Sequence, residues 1–202
     1  MPTQALKRAL PFTALLLLTS CQPGSAVQDP ELATSLSMLS SSAVSQGCTF
    51  TITAQARPGT LPPIYDYVVA RQASATCAYP AASTIVGSSY NTGAGITGNN
   101  LGIAVAYTVK NTASGSSPSS VNLKQIAVST LGTVRSSALS CGPSIYSTYL
   151  ADLFMLNGTT LQVNGSKGCK LYGWSEYGAG GSYYAYYFDF FTTAGAPVII
   201  AY

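Results

Sequence analysis

Apolar and polar residues alternate with a period of two over much of the chain after residue 48, a pattern typical of β-strands with one buried face. The pattern predicts strands at residues 49–53, 65–70, 102–109, 121–129, 133–139, 153–156, 159–163, 183–191 and 197–202. Residues that favour turns separate these runs, and no long helical pattern interrupts them. We therefore expect an all-β domain, with an antiparallel β-sandwich favoured over a closed barrel.

Two Asn-Gly pairs are the clearest turn signals in the chain. Asn157-Gly158 lies between two apolar runs, and Asn164-Gly165 follows the second run directly. Asn-Gly is a preferred two-residue hairpin loop because both positions tolerate positive φ. Two such loops in succession predict a three-stranded meander whose last strand ends near residues 171–174.

The first 20 residues have the layout of a secretory signal peptide. Lys7 and Arg8 precede an apolar run at residues 9–18, and small residues follow it. This run is about half as long as the ~20 apolar residues that a transmembrane helix needs. We therefore expect the segment to be removed rather than to remain as a membrane span.

Leu18-Thr19-Ser20-Cys21 resembles the lipobox of bacterial lipoproteins. The resemblance covers residues 1–21 only. It implies that residues 1–20 are removed, that Cys21 is lipidated, and that the mature chain is anchored to a membrane of the cell envelope. Gln22 implies the outer membrane if the organism has one. The alternative is ordinary cleavage after Gly24-Ser25-Ala26, which would discard Cys21.

Residues 21–47 are rich in serine, alanine and glutamine, as expected of a tether between the lipid and the domain. Within it, Leu32, Leu36 and Leu39 are spaced i, i+4, i+7, which suits a short amphipathic helix as well as a flexible linker. We place the β domain at residues 48–202.

Four cysteines follow Cys21 in the sequence: Cys48, Cys77, Cys141 and Cys169. An even number in an exported chain predicts two disulfides. No pair has the CxxC spacing of a zinc or redox centre. Of the three possible connectivities we expect Cys48–Cys77 with Cys141–Cys169, because each pair closes a short loop within one half of the domain.

The composition excludes several kinds of site. The chain has no histidine, which rules out His-dependent catalytic triads and imidazole-ligated metals. Charged residues make up 7% of the chain and the net charge is +3, with the basic residues scattered, so we expect no nucleic-acid partner. Residues 93–98 match GxGxxG, but neither a helix nor a suitably placed acid follows. We expect a flexible loop there, no nucleotide, no metal and no cofactor.

Ten aromatic residues lie within residues 172–191. On a strand, Tyr183 and Tyr187 lie on one face and the tyrosines between them on the other. This set suits a strand buried on both faces, or a strand that presents tyrosines to a partner, since a phenol combines apolar area with a hydroxyl. We predict that at least two of Tyr177, Tyr183 and Tyr187 are accessible and form a partner-binding patch.

Glu176 and Asp189 are the only acids in this aromatic region. A glycosidase uses two carboxylates about 5–9 Å apart.

The first functional hypothesis is a non-enzymatic lipoprotein of the cell envelope that binds a protein or glycan partner or has a structural role at the cell surface. The alternative is a polysaccharide hydrolase that uses Glu176 and Asp189.

Overall fold

The computed structural model describes residues 39, 41–113, 118, 120–140, 147–168, 181–193 and 195–201. Within these residues the chain forms twelve antiparallel strands, without a helix and without a closed barrel. The strands are β1 (Ser42–Ser45), β2 (Cys48–Ala56), β3 (Tyr65–Arg71), β4 (Ala82–Ser89), β5 (Ala94–Asn99), β6 (Gly102–Val109), β7 (Ser120–Ile126), β8 (Thr133–Ser140), β9 (Thr148–Met155), β10 (Leu161–Lys167), β11 (Gly181–Tyr187) and β12 (Val198–Ala201). The described part of the chain holds no helix with the length and apolar content to span a membrane.

The strands form three four-stranded sheets that stack as layers. The first sheet has the order β1-β2-β3-β4, the middle sheet β5-β6-β7-β8, and the third sheet β12-β11-β10-β9. One hydrophobic core lies between the first and middle sheets, and a second lies between the middle and third sheets. The first and third sheets therefore each keep one face outside these two cores.

Strand β6 is buried along its whole length because the middle sheet has a core on both sides. Ile103 and Val105 belong to the core with the first sheet, whereas Ala104 and Ala106 belong to the core with the third sheet. Small and large side chains thus alternate along β6. The small alanine side chains leave room for the third sheet to pack close to the middle sheet. This arrangement confirms the all-β sandwich prediction and adds a third layer to it.

Most predicted strands are present, with boundaries that differ by a few residues. Three strands were not predicted: β1, β4 and β5. The GxGxxG segment at residues 93–98 is not a flexible loop, since it forms most of β5 and pairs with β6. Ile96 in its centre is fully buried. The glycine content concealed this strand because β5 has few side chains from which an alternation can be recognised.

The β domain begins before Cys48, the predicted boundary. Strand β1 lies in the segment predicted as a tether and pairs with β2 through a two-residue loop. Gln46 and Gly47 in this loop both have positive φ, 50° and 74°, as a tight hairpin requires. A side chain at residue 47 would also collide with the carbonyl of Thr76. Leu39, still earlier in the chain, packs against the core.

The two Asn-Gly pairs have different structures. Asn157-Gly158 lies in the loop between β9 and β10, as predicted, where the Asn157 side-chain oxygen accepts hydrogen bonds from the backbone N–H groups of Thr159 and Thr160 at 2.9 and 2.7 Å. Asn164-Gly165 is not a turn, and that prediction was wrong. The pair lies inside β10, where the register with β9 shifts at a β-bulge.

Cys48 and Cys77 form the predicted disulfide, with their Cα atoms 4.4 Å apart. The bond joins the start of β2 to the connection between β3 and β4. Cys141 and Cys169 lie outside the described residues, so their pairing stays a prediction.

Candidate functional site

Tyr183 and Tyr187 are buried in the core between the middle and third sheets, with exposed fractions of 0% and 3%. Tyr177 lies outside the described residues. The prediction that at least two of these three tyrosines are solvent-accessible is therefore wrong. The alternation along β11 was correctly recognised, but its two faces were assigned the wrong way round, because the period of two does not indicate which face meets another sheet.

The burial of Tyr183 includes its hydroxyl group. The hydroxyl donates a hydrogen bond to the backbone carbonyl of Tyr149 on β9 at 3.1 Å. Burial, together with the nearby Tyr187, raises the pKa of Tyr183 above its usual range. The neutral phenol is therefore a structural part of the core.

Strand β11 ends at Tyr187, earlier than predicted, and the chain then turns at residues 188–192. Phe190 and Phe191 are both buried, and their rings meet edge to face at a centroid distance of 5.2 Å. Because of this turn, consecutive aromatic residues enter one core, which strand alternation would not permit.

The opposite face of the third sheet carries the other tyrosines of β11. Cross-strand pairing places its side chains in two rows, each of which runs over all four strands. One row is Phe154, Gln162, Tyr186 and Val198, and the other is Asp152, Asn164, Tyr184 and Ile200. We call these eight residues the outer face. No described strand packs against it.

Each row of the outer face has an amide beside a tyrosine and an aliphatic side chain at the edge. Tyr184 and Tyr186 are half-buried, whereas Val198 and Ile200 are exposed. Gln162 donates a hydrogen bond from Nε2 to Oδ1 of Asn164 at 2.7 Å, which links the two rows. A third tyrosine, Tyr149, is exposed next to this face, opposite Ser166 in the register.

Charge is nearly absent from the outer face. Asp152 is its one ionisable acid, and Oδ1 of Asp152 accepts a hydrogen bond from the backbone N–H of Leu153 at 2.8 Å. Among the described residues, no group of three or more His, Cys, Asp or Glu side chains is placed to hold a metal ion. Gln162 is itself buried, with 6% of its surface exposed, whereas Asn164 is half-buried. The face therefore offers aromatic surfaces and the amide of Asn164 rather than a reactive centre.

Asp189, one of the two predicted acids, lies in the turn after β11 with φ of 49°. Its side chain is exposed, and its backbone carbonyl accepts hydrogen bonds from the N–H groups of Thr192 and Thr193, both at 2.9 Å. Glu176 lies outside the described residues. The hydrolase hypothesis stays untested.

The sequence contained the signal for the outer face, although our interpretation missed it. The alternation that groups Tyr183 with Tyr187 also places Tyr184 and Tyr186 together on the opposite side of the strand. The sequence alone does not identify Gln162 and Asn164 as their neighbours, because Asn164-Gly165 is a dipeptide that favours a turn. Because β10 continues through this position, the two amides lie in register with the two tyrosines.

No protein-family model matches this chain, and comparison with curated proteins and with solved structures also found no match.

Proposed function

We propose that the protein is a non-enzymatic, lipid-anchored component of the cell envelope that binds a glycan through the outer face of the third sheet. The observation that carries the proposal is the pair of cross-strand rows in which Tyr184 and Tyr186 lie beside Asn164 and Gln162. This face replaces the Tyr177, Tyr183 and Tyr187 patch that the sequence suggested.

The chemistry of the face favours a sugar over a charged ligand. Tyrosine rings present apolar area to the C–H face of a sugar, and their hydroxyls and the Asn164 amide can bind its hydroxyl groups. Strand pairing also restrains the side chains before a ligand arrives, which lowers the entropic cost of binding. Because Asp152 is the one charge present, the preferred glycan is neutral.

The membrane anchor in this proposal rests on the resemblance of residues 18–21 to a lipobox. The described domain has an ordered hairpin from Ser42 onward, so the segment available as a tether is shorter than 21–47. In a diderm organism the anchor would lie in the outer membrane. A Cys21→Ser variant should then lose fatty-acid labelling, whereas labelling that persists would contradict the anchor but not the glycan site.

The binding test uses the mature domain with purified cell-wall sacculi and an array of neutral polysaccharides. We expect Tyr184→Ala combined with Tyr186→Ala to weaken retention at least tenfold while the thermal unfolding transition is kept. Ile85→Ala is the matched control, because Ile85 is an exposed apolar side chain on the first sheet. Equal retention of all three proteins, or no glycan retained by the wild type, would contradict the proposal.

A second pair of variants distinguishes the contribution of the tyrosine rings to glycan binding from that of their hydroxyl groups. Tyr184→Phe and Tyr186→Phe keep the ring and remove the hydrogen-bonding group. If stacking dominates, these variants should retain most of the affinity, since the apolar area is unchanged. If affinity falls as far as in the alanine variants, the hydroxyl groups provide the recognition.

A further inference from the structure

A cavity of about 260 Å³ lies beyond the end of β11, between the third sheet and strand β8. Its lining includes Arg135 and Ser137 of β8, Tyr187 of β11, Phe188 and Phe190 of the following turn, and Pro197 before β12. The cavity is distinct from the outer face, because Tyr187 is on the core side of β11. It therefore provides a second place for a ligand, independent of the proposed glycan site.

Arg135 is a cation without a hydrogen-bonded counterion in the described part of the chain. Its guanidinium lies over the ring of Phe190, 6.0 Å from the centroid. Its Nη1 atom is buried and has no hydrogen-bond partner. The ion pair found among the described residues, Arg57 with Asp66, involves the first sheet. A buried donor without a partner costs free energy, and more so when it is charged.

Arg71 provides the comparison within the same fold. It is more deeply buried than Arg135, and the Nε and Nη1 atoms of its guanidinium are engaged by backbone carbonyls. It donates hydrogen bonds to the carbonyls of Pro80 at 2.7 Å and Ser129 at 2.8 Å, and also to that of Val128. Arg71 therefore has the contacts of a structural arginine. In the described part of the chain Arg135 has no such contacts: its Nη1 atom is enclosed without a partner, while the residue as a whole is only partly buried where it lines the cavity.

We propose that this cavity binds a small organic anion: a carboxylate attached to a single apolar ring. The carboxylate would pair with the guanidinium of Arg135, a charge-assisted contact that a planar fork is suited to make. The ring would lie against the aromatic wall formed by Phe188 and Phe190. The Ser137 and Tyr187 hydroxyl oxygens, 3.4 Å apart, add polar groups at the same wall.

The volume of the cavity sets the size of the ligand. An apolar cavity of about 150 Å³ accommodates a benzene ring, so the present cavity has room for one ring with a short acidic substituent. Drug-sized pockets begin at about 300 Å³, which excludes a large cofactor or an oligosaccharide. The ligand is therefore different in class from the glycan assigned to the outer face.

The test measures binding of benzoate and phenylacetate to the mature domain by titration calorimetry and by chemical shifts of the aromatic protons. Benzamide is the neutral counterpart of benzoate, and inorganic phosphate is the anion without a ring. We expect benzoate to bind at least tenfold more tightly than benzamide and than phosphate. Equal binding of benzoate and benzamide would overturn the role of charge, and equal binding of phosphate would overturn that of the ring.

Variants of Arg135 test whether its guanidinium makes the contact with the carboxylate. Arg135→Met keeps a long side chain over Phe190 and removes the charge, so benzoate affinity should fall at least tenfold. Arg135→Lys keeps the charge without the fork, and we expect intermediate affinity. Arg57→Gln is the control, because it removes a cation from the first sheet, and it should bind as the wild type does. Loss of binding in all three variants, or in none, would contradict the assignment of Arg135. The Tyr184→Ala, Tyr186→Ala protein should still bind benzoate, which separates this site from the glycan face.

Discussion

Tyr183 lies directly opposite Gly165 in the β10–β11 ladder, and its ring occupies the space that a side chain at residue 165 would need. The ring reaches across the glycine, so that its hydroxyl group binds the carbonyl of Tyr149 on β9, the strand beyond. One aromatic residue thereby covers the backbone of the bulge in β10 and connects three strands. This contact explains why Asn164-Gly165 can continue a strand although the same dipeptide commonly forms a turn.

Gly165→Ala should destabilise the domain strongly. A Cβ atom there would collide with the Tyr149 carbonyl and lie 2.6 Å from the Tyr183 hydroxyl oxygen. Overpacking of a well-packed site typically costs about 1–3 kcal/mol and occasionally more. Gly158→Ala is the matched control, because a Cβ atom at residue 158 would have no atom within 4 Å. Denaturant unfolding of both variants measures the difference. Equal stability of the two would show that the ring does not occupy this space.

Replacing Tyr183 separates its ring from its hydroxyl. Tyr183→Ala should lower the free energy of unfolding by about 3–5 kcal/mol, through lost burial and a cavity. Tyr183→Phe keeps the ring and should lower it by about 1 kcal/mol, because one hydrogen bond is lost. Chemical denaturation checks both values against Ile85→Ala, an exposed site where a change within about 0.5 kcal/mol is expected. A tolerated Tyr183→Ala would contradict the burial of this face.

Tyr67 should make the domain sensitive to alkali. Burial raises the pKa of Tyr67 to about 12, and the neighbouring Tyr107 adds to it. The hydroxyl donates toward the carbonyls of Asn91 and Thr108 at 2.5 and 3.1 Å. A folded-state pKa above the unfolded value, about 10, means that its stabilising contribution is complete below pH 10 and is lost as the pH rises through about 12.

The measurement is the free energy of unfolding between pH 8 and pH 12 for the wild type and Tyr67→Phe. The variant has no group to ionise at this position, so its stability should fall less steeply above about pH 10. Tyr183 also has a raised pKa, and Tyr183→Phe therefore serves as a second reference. Parallel curves for the wild type and Tyr67→Phe would contradict this assignment.

The Cys48–Cys77 disulfide should stabilise the domain by constraining the unfolded chain. It closes a loop with a sequence separation of 29 residues, for which chain-entropy arguments give about 3.5 kcal/mol. Cys48→Ala combined with Cys77→Ala should lower the free energy of unfolding by roughly this amount. Non-reducing peptide mapping of the wild type provides the control, and a Cys77–Cys141 peptide would contradict the bond in solution.

The all-β class followed from local properties of the sequence. Alternation at residues 49–53 and 102–109 identified β2 and β6, because strand geometry places successive side chains on opposite faces. The loop at Asn157-Gly158 was also recognisable, since its hydrogen bonds involve neighbouring residues. The pairing of Cys48 with Cys77 could be proposed from loop length alone.

The tertiary structure decided which of the two faces of each strand is buried. Tyr183 and Tyr184 are adjacent and identical in type, yet one lies in a core and the other on the outer face, because the middle sheet lies against only one side of β11. Arg71 and Arg135 differ in the same way, since carbonyls from distant parts of the chain surround the first and a cavity adjoins the second. Alternation is a property of one strand, whereas burial depends on a neighbouring layer that residues far away in the sequence contribute. For that reason, the candidate site could be identified only from the stacked sheets.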